Sequence, residues 1–226
     1  MPYGRLRDSD LNNRPMADNY LEKKYDEVFA AGRKTVVKHV NPTLDTLLLK
    51  NRSHRGYSQG YVVERRQLET IIAVNTRTPS ARNQQVLRFR PVTSEESEKV
   101  LPYIRLGGAL PELHLPAKGE EPRAFIVACT SAPETKFVDI DLGISLQSMS
   151  LKAVEMGLNC ITICAFDKAA IMESLGLQME PLAILAVGKG TDSIQLLSIN
   201  ADADHAYYRK DGIHYVPKLS LGDLII

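Results

Sequence analysis

The stretch that most limits the fold is "DIDLGISLQSMSLKAVEMG", residues 139–157. Leu142, Leu146, Met149, Ala153 and Met156 form one apolar stripe at helical spacing, and Ile140, Ile144 and Leu151 widen it. A helix apolar over so much of its surface must sit at the centre of a domain rather than on its rim. Gly157 is its natural stop. On either side lie short apolar runs too brief for helices, "RAFIVACT" before it and "CITIC" after it. "FDKAAIMESLG" then reads as a short helix capped by Asp167, and "PLAILAVGKG" as another buried strand. The alternation predicts a sheet with helices on its faces.

The first half is less regular. Asn41 is a good N-cap and Pro42 fits the first helical position of a helix whose buried face is Leu44, Leu47 and Leu48. A second helix is predicted from Val63 to Arg77, with Leu68, Ile71 and Ile72 inward and Pro79 ending it. "QVLRFRPV" alternates as a strand does, and Thr93 with Glu96 spells a capping box for a helix through Val100, Leu101 and Ile104. "LGGALPELHLPAKGEEP" carries Gly and Pro at intervals that forbid regular structure, and so predicts a long irregular loop. Ahead of all this, residues 1–15 are polar and aperiodic. Met16 opens a fresh helical beginning and is a candidate natural start, with Leu21, Tyr25, Val28 and Phe29 on one stripe ending near Gly32. The expected division is an arm with one amphipathic helix over residues 1–40 and a single domain over residues 41–226.

Composition narrows the function. At 226 residues and 44% hydrophobic content the chain can fill one sizeable core. A formal net charge of +1 provides no field for nucleic acid or an anionic membrane. No apolar run approaches the ~20 residues of a membrane span, and a cytoplasmic location is expected. The cysteines Cys129, Cys160 and Cys164 are odd in number and lie in apolar sequence, which reads as buried thiols in a reducing compartment. The histidines are scattered without ligand spacing, and no Gly-x-Ser-x-Gly elbow occurs, so neither a metal site nor a nucleophilic triad is predicted. The short "VGKG" and "LGG" clusters complete no phosphate fingerprint and read as turns.

Two polar clusters remain. "NRSHR", residues 51–55, offers two guanidinium groups and a hydroxyl, which suits a phosphate or, equally, a solvated basic turn. "TPSARNQQ", residues 78–85, crowds Ser80, Asn83, Gln84 and Gln85 into one loop. Their amides both donate and accept, as the mixed edge of a flat heterocycle requires.

In order, these segments resemble the nitroreductase-like FMN-dependent oxidoreductase family. Arg52, Ser53, His54 and Arg55 match its Arg-Ser-x-Arg stretch, and Pro79 to Gln85 match its Pro-Ser-x-x-Asn-x-Gln loop. Asp141 and Gly143 match a central D-x-G helix, followed by Gly157, Leu158 and "CITICAF". The resemblance spans about residues 44–226. It implies an α+β fold with a mixed, mostly antiparallel central sheet flanked by helices, in an interwoven homodimer with FMN at the subunit interface. It implies that Arg52, Ser53 and Arg55 hold the phosphate and ribityl end, with Lys218 of "HYVPKLS" as a late basic residue on the phosphate. Pro79, Ser80, Ala81, Asn83 and Gln85 would lie along the flavin, and backbone at Ile163, Cys164 and Ala165 would approach its N5 edge. The implied activity takes a hydride from NADH or NADPH and reduces a small electron-poor acceptor, nitroaromatic or quinone, by a ping-pong route with no catalytic side chain. A flavin-binding or flavin-processing relative without external-substrate reductase activity, and a non-enzymatic interaction protein on the same fold, are the rival readings. The chain departs from the family at Val86 and Leu87, where Pro-Trp is common, and at "CAFD", where several members carry Glu-Gly.

Overall fold

The computed structural model describes residues 42–226 apart from Ala109. The predicted helix over residues 16–32 lies outside the described residues. Seven strands and five α-helices are built from the rest. Strands β1 (Leu87–Val92), β2 (Ala124–Thr130), β3 (Asn159–Ile163) and β4 (Glu180–Gly188) form one sheet in the order β1-β2-β4-β3, antiparallel throughout. Strands β5 (Ser193–Ile199), β6 (Tyr208–Lys210) and β7 (Ile213–Leu219) form a second sheet in the order β5-β7-β6, in which β5 and β7 run parallel.

The central strands read as unbroken apolar runs because both faces of the first sheet are covered. Helices α1 (Leu44–Lys50), α2 (Arg65–Ile72), α3 (Lys136–Glu155), α4 (Lys168–Leu175) and α5 (Leu221–Leu224) complete the described chain. On one face, Ala124, Ile126, Leu185 and Val187 pack with Leu68 and Ile71 of α2 and Leu146, Met149 and Ala153 of α3. On the other, Phe125, Val127, Ile161 and Ile184 pack with Ile171 of α4 and with Val92 and Val100. Alternate residues of β2 thus point into two cores. Each fully buried large apolar side chain contributes roughly 1.5–3 kcal/mol, so this central slab dominates the stability.

The long helix forms as the sequence predicts, with Thr135 as its N-cap and Gly157 just past its end at a positive φ of 71°. Its flank differs: Ile140 is exposed. Asp167 caps α4 by accepting from the Ala170 N–H at 3.0 Å. Other expectations change. Thr43, not Asn41, caps α1, and none of its residues is buried; Leu44 and Leu48 are exposed. Helix α2 is shorter than predicted, because a 3-10 turn over Ala73–Thr76 replaces its last turn. The cap box forms instead at the start of α2, between Glu64 and Gln67. Thr93 makes no side-chain cap; Glu96 binds Arg90 and Lys99, and Ser94–Lys99 is a 3-10 turn.

The segment after α1 is fixed by the free edge of β3. Ser53 bridges Cys160, and the His54 N–H donates to the Cys160 carbonyl at 3.2 Å. Tyr57 bridges Gly190 just beyond β4. The "VGKG" cluster is therefore more than a turn, since a Cβ at Gly190 would overlap the His54 ring. Gly190→Ala is expected to cost about 1–3 kcal/mol through overpacking, read as a lower midpoint in thermal unfolding. A wild-type midpoint would mean that His54 can swing aside.

Candidate functional site

The edge docking delivers the first polar cluster to a cleft of about 310 Å³. Arg52, Ser53 and Arg55 line it together with Gln147 and Ser150 of α3, Cys160, Ile161 and Thr162 of β3, Tyr207 just before β6, and His214 and Lys218 of β7. Arg52, Ser53, Arg55 and Lys218, four of the residues singled out from sequence, thus meet in one place. Lys218 comes from a segment far along the chain from the other three.

Arg55 is buried, and its surroundings are built to hold it. Its Nη1 donates to the Ser53 carbonyl at 3.2 Å and lies 3.4 Å from His214 Nε2, and its guanidinium sits over the Tyr207 ring at 4.9 Å from the centroid. Its backbone is pinned by Asp192, which accepts the N–H of Arg55 at 2.5 Å and of Gly56 at 3.0 Å and also pairs with Arg209. The Asp192 side chain is only 6% exposed, so this is a carboxylate committed to local structure. Burial, then Arg55 and Arg209, push the His214 imidazole below its usual range, against the opposing pull of Asp192. Burial likewise lowers His54, although Asp192 pulls it up. The Nε atoms of Arg52 and Arg55 are buried without a hydrogen-bond partner among the described residues. Positively charged groups left so call for an anion.

The second polar cluster lies elsewhere on the molecule. Pro79, Ser80 and Gln85 line a separate cleft of about 270 Å³ with Asp141 and Ser145 of α3. The loop is strained, with left-handed φ values of 53° at Arg82, 53° at Asn83 and 47° at Gln85. Such conformations cost on the order of 1 kcal/mol or more each for residues with a side chain. Asp141 holds the loop against that cost. Its buried carboxylate accepts the Ala81 N–H at 2.8 Å and Gln84 Nε2 at 3.1 Å. Asn83 and Gln85 are exposed and bond to each other, Gln85 Nε2 donating to Asn83 Oδ1 at 3.0 Å. Loop and arginine cleft therefore do not meet within the chain.

Ile163, Cys164 and Ala165 line neither cleft. Ile163 is buried in the sheet, and the Ala165 carbonyl accepts the Arg105 N–H at 2.9 Å. The expectation of three buried thiols fails at Cys164, which is exposed because it falls just past the end of β3. Burial raises the Cys129 and Cys160 thiols to about 11 and about 12. At neutral pH they are unreactive thiols. A thiol-specific reagent is expected to label one cysteine rapidly in the native protein and three after unfolding; rapid native labelling of more than one would contradict this burial.

Sequence reasoning missed Asp192, Arg209, Tyr207 and His214, because nothing local marks them. Asp192 lies two residues after Gly190, the glycine that makes room for His54, and that position was the available signal.

The fold, an antiparallel sheet between helices, is nitroreductase-like. A nitroreductase family protein from Clostridium novyi NT superposes with a TM-score of 0.55 at 20% identity, covering 67% of this chain and 87% of that one. An NfnB variant from Sphigopyxis sp. strain HMH, an FMN and NADPH-dependent nitroreductase, gives 0.57 at 20% identity over 66% and 89%. A candidate nitroreductase from Exiguobacterium sibiricum 255-15, in complex with FMN, gives 0.55 at 19% over 67% and 90%. The sequence agrees in part: residues 123–189, from β2 through α3 to β4, match the Nitroreductase family model. No curated protein matches it in sequence.

Proposed function

We propose that the protein is an FMN-dependent oxidoreductase of the nitroreductase type, drawing on NADH or NADPH and reducing a small electron-poor acceptor such as a nitroaromatic or a quinone. The observation that carries this reading is the cleft in which Arg52, Arg55 and Lys218 converge with guanidinium Nε atoms left unpartnered. A phosphate monoester carries about −1.5 to −2 charges at neutral pH and offers three acceptor oxygens, which fits that donor set. The FMN and NADPH dependence of the Sphigopyxis protein supports the choice of cofactor and donor.

Arg52, Ser53, Arg55 and Lys218 would hold the phosphate and ribityl end. Pro79, Ser80, Ala81, Asn83 and Gln85 would border the ring, with Ile163, Cys164 and Ala165 toward its N5 edge. A flavin held there would supply the redox chemistry, hydride transfer from the nicotinamide and reduction of the acceptor in ping-pong order. The protein's residues bind and orient, and no side chain is assigned a proton-transfer role.

The separation of the loop from the arginine cleft supports a site shared by two copies of the chain in a homodimer. Exposed Leu44, Leu48 and Leu49 of α1, with Leu221, Leu224 and Ile225 near the C-terminus, supply apolar surface for such an interface. In this reading residues 41–226 are the FMN-binding domain, residues 1–40 are an arm, and the protein works in the cytoplasm without nucleic acid or membrane partners. Among the described residues no helix is long and apolar enough to cross a membrane.

The purified protein is expected to be yellow, to release FMN on denaturation and to oxidise NADH or NADPH when a quinone is added. A colourless protein that takes up no added FMN would overturn the reading. A yellow protein inert toward both nicotinamides would leave a flavin-binding protein without this turnover. Within the loop, Gln85→Leu removes an amide donor proposed to face the ring edge, where negative charge collects on reduction. The two-electron midpoint is expected to fall by tens of millivolts, since a hydrogen bond to a charged group is worth roughly 1.5–3 kcal/mol and about 30 mV corresponds to 1.4 kcal/mol. An unchanged midpoint in a fully loaded variant would place this side chain away from the ring.

A further inference from the structure

We infer that His214 is an additional ligand of the anion in the arginine cleft, a neutral imidazole that Arg55 locks in the Nδ1–H tautomer and that donates this N–H to the flavin phosphate. The inference rests on the FMN reading above.

The tautomer follows from donor and acceptor counting. His214 Nε2 lies 3.4 Å from Arg55 Nη1. A guanidinium has only N–H donors and keeps its proton in a protein, so Nε2 must accept. The single proton of a neutral ring is then on Nδ1. Burial and the flanking Arg55 and Arg209 favour that neutral ring.

The ring is also held in place. His214 is buried on β7, tilted at 53° against Tyr207 with centroids 5.1 Å apart, while Tyr207 lies beneath Arg55. Nδ1 is buried and has no partner among the described residues. The neighbouring acceptors are committed, because Asp192 takes the Arg55 and Gly56 N–H groups and Arg209, and the Ser53 carbonyl takes Arg55 Nη1. An N–H in that position carries the desolvation cost of an unmade hydrogen bond until an acceptor arrives.

Among the clefts described, the one His214 lines is the one lined by Arg52, Arg55 and Lys218. His54 makes a useful contrast. Its Nδ1 is also buried without a partner, but it faces Gly190 and lies 3.8 Å from Asp192, and the ring does not line this cleft. A neutral donor also suits the place, since a further full charge beside Arg55 and Arg209 would be repelled.

The test compares FMN with riboflavin, which lacks only the phosphate, by fluorescence titration of the full-length apoprotein. His214→Phe keeps an aromatic ring beside Tyr207 and removes the donor. It is expected to weaken FMN about tenfold or more, to leave riboflavin unchanged, and to be partly rescued by His214→Asn, whose amide can donate from the δ position. Equal losses for both ligands, or none for either, would overturn the role of His214. Imidazole 15N shifts of the wild-type protein provide a reading independent of any variant: a protonated Nδ1 and a bare Nε2 are expected, and the reverse tautomer sinks the inference. Wild-type protein that binds FMN no better than riboflavin would remove the phosphate from this cleft and this inference with it. Wild-type protein that binds neither would overturn the flavin reading itself.

Discussion

Asp192→Ala is expected to destabilise the fold by about 1–3 kcal/mol or more, the usual result of leaving buried backbone N–H groups without their acceptor. The carboxylate accepts two consecutive backbone N–H groups and the Arg209 side chain, and its own side chain is only 6% exposed. Its loss would leave Arg209 uncompensated in a wall that already carries Arg55. Urea unfolding measures the difference, and Asp192→Asn should fall between alanine and wild type because its carbonyl can accept one of the two N–H groups. A loss below about 1 kcal/mol in Asp192→Ala would mean that solvent reaches this carboxylate after all. Because Asp192 fixes the backbone beneath Arg55, FMN affinity should fall with stability.

Arg52→Ala and Arg55→Ala are expected to release FMN from a protein that still folds. A charge-assisted hydrogen bond is worth roughly 1.5–3 kcal/mol, which is about tenfold to over a hundredfold in affinity. Arg55 should show the larger effect, since it is the more buried of the two and also packs on Tyr207. Cofactor content after dialysis and a titration with FMN give the measurement. Full occupancy in both variants would remove the phosphate from this cleft.

The local chemistry of several elements was plain in the sequence. The apolar stripe through Leu142, Leu146, Met149 and Ala153 marked α3 as central, and Gly157 marked its end, because helical periodicity and a left-handed stop are properties of neighbouring residues. The apolar runs of β2, β3 and β4 were legible for the same reason. The capping signals were less decisive. Thr93 and Glu96 spell a box, yet Glu96 spends its carboxylate on Arg90 and Lys99, a competition that depends on where β1 places Arg90. The strands β5, β6 and β7 gave little signal, since their pairing joins segments separated by a loop and they are only partly buried.

For the site, the sequence by itself determined which residues are rich enough in donors to bind an anion or a heterocycle: the Arg52–Arg55 segment and the Pro79–Gln85 loop. It could not determine their company. Tertiary structure decided that Ser53 and His54 dock on the edge of β3, that β7 brings Lys218 and His214 to the same cleft, and that Asp192 and Asp141 each secure one polar segment. It also kept the two clusters apart on the protomer. The reason is physical. Propensity and periodicity act through covalently near neighbours, whereas burial of a charge and the satisfaction of its hydrogen bonds depend on groups that only the folded chain brings within 3 Å or so.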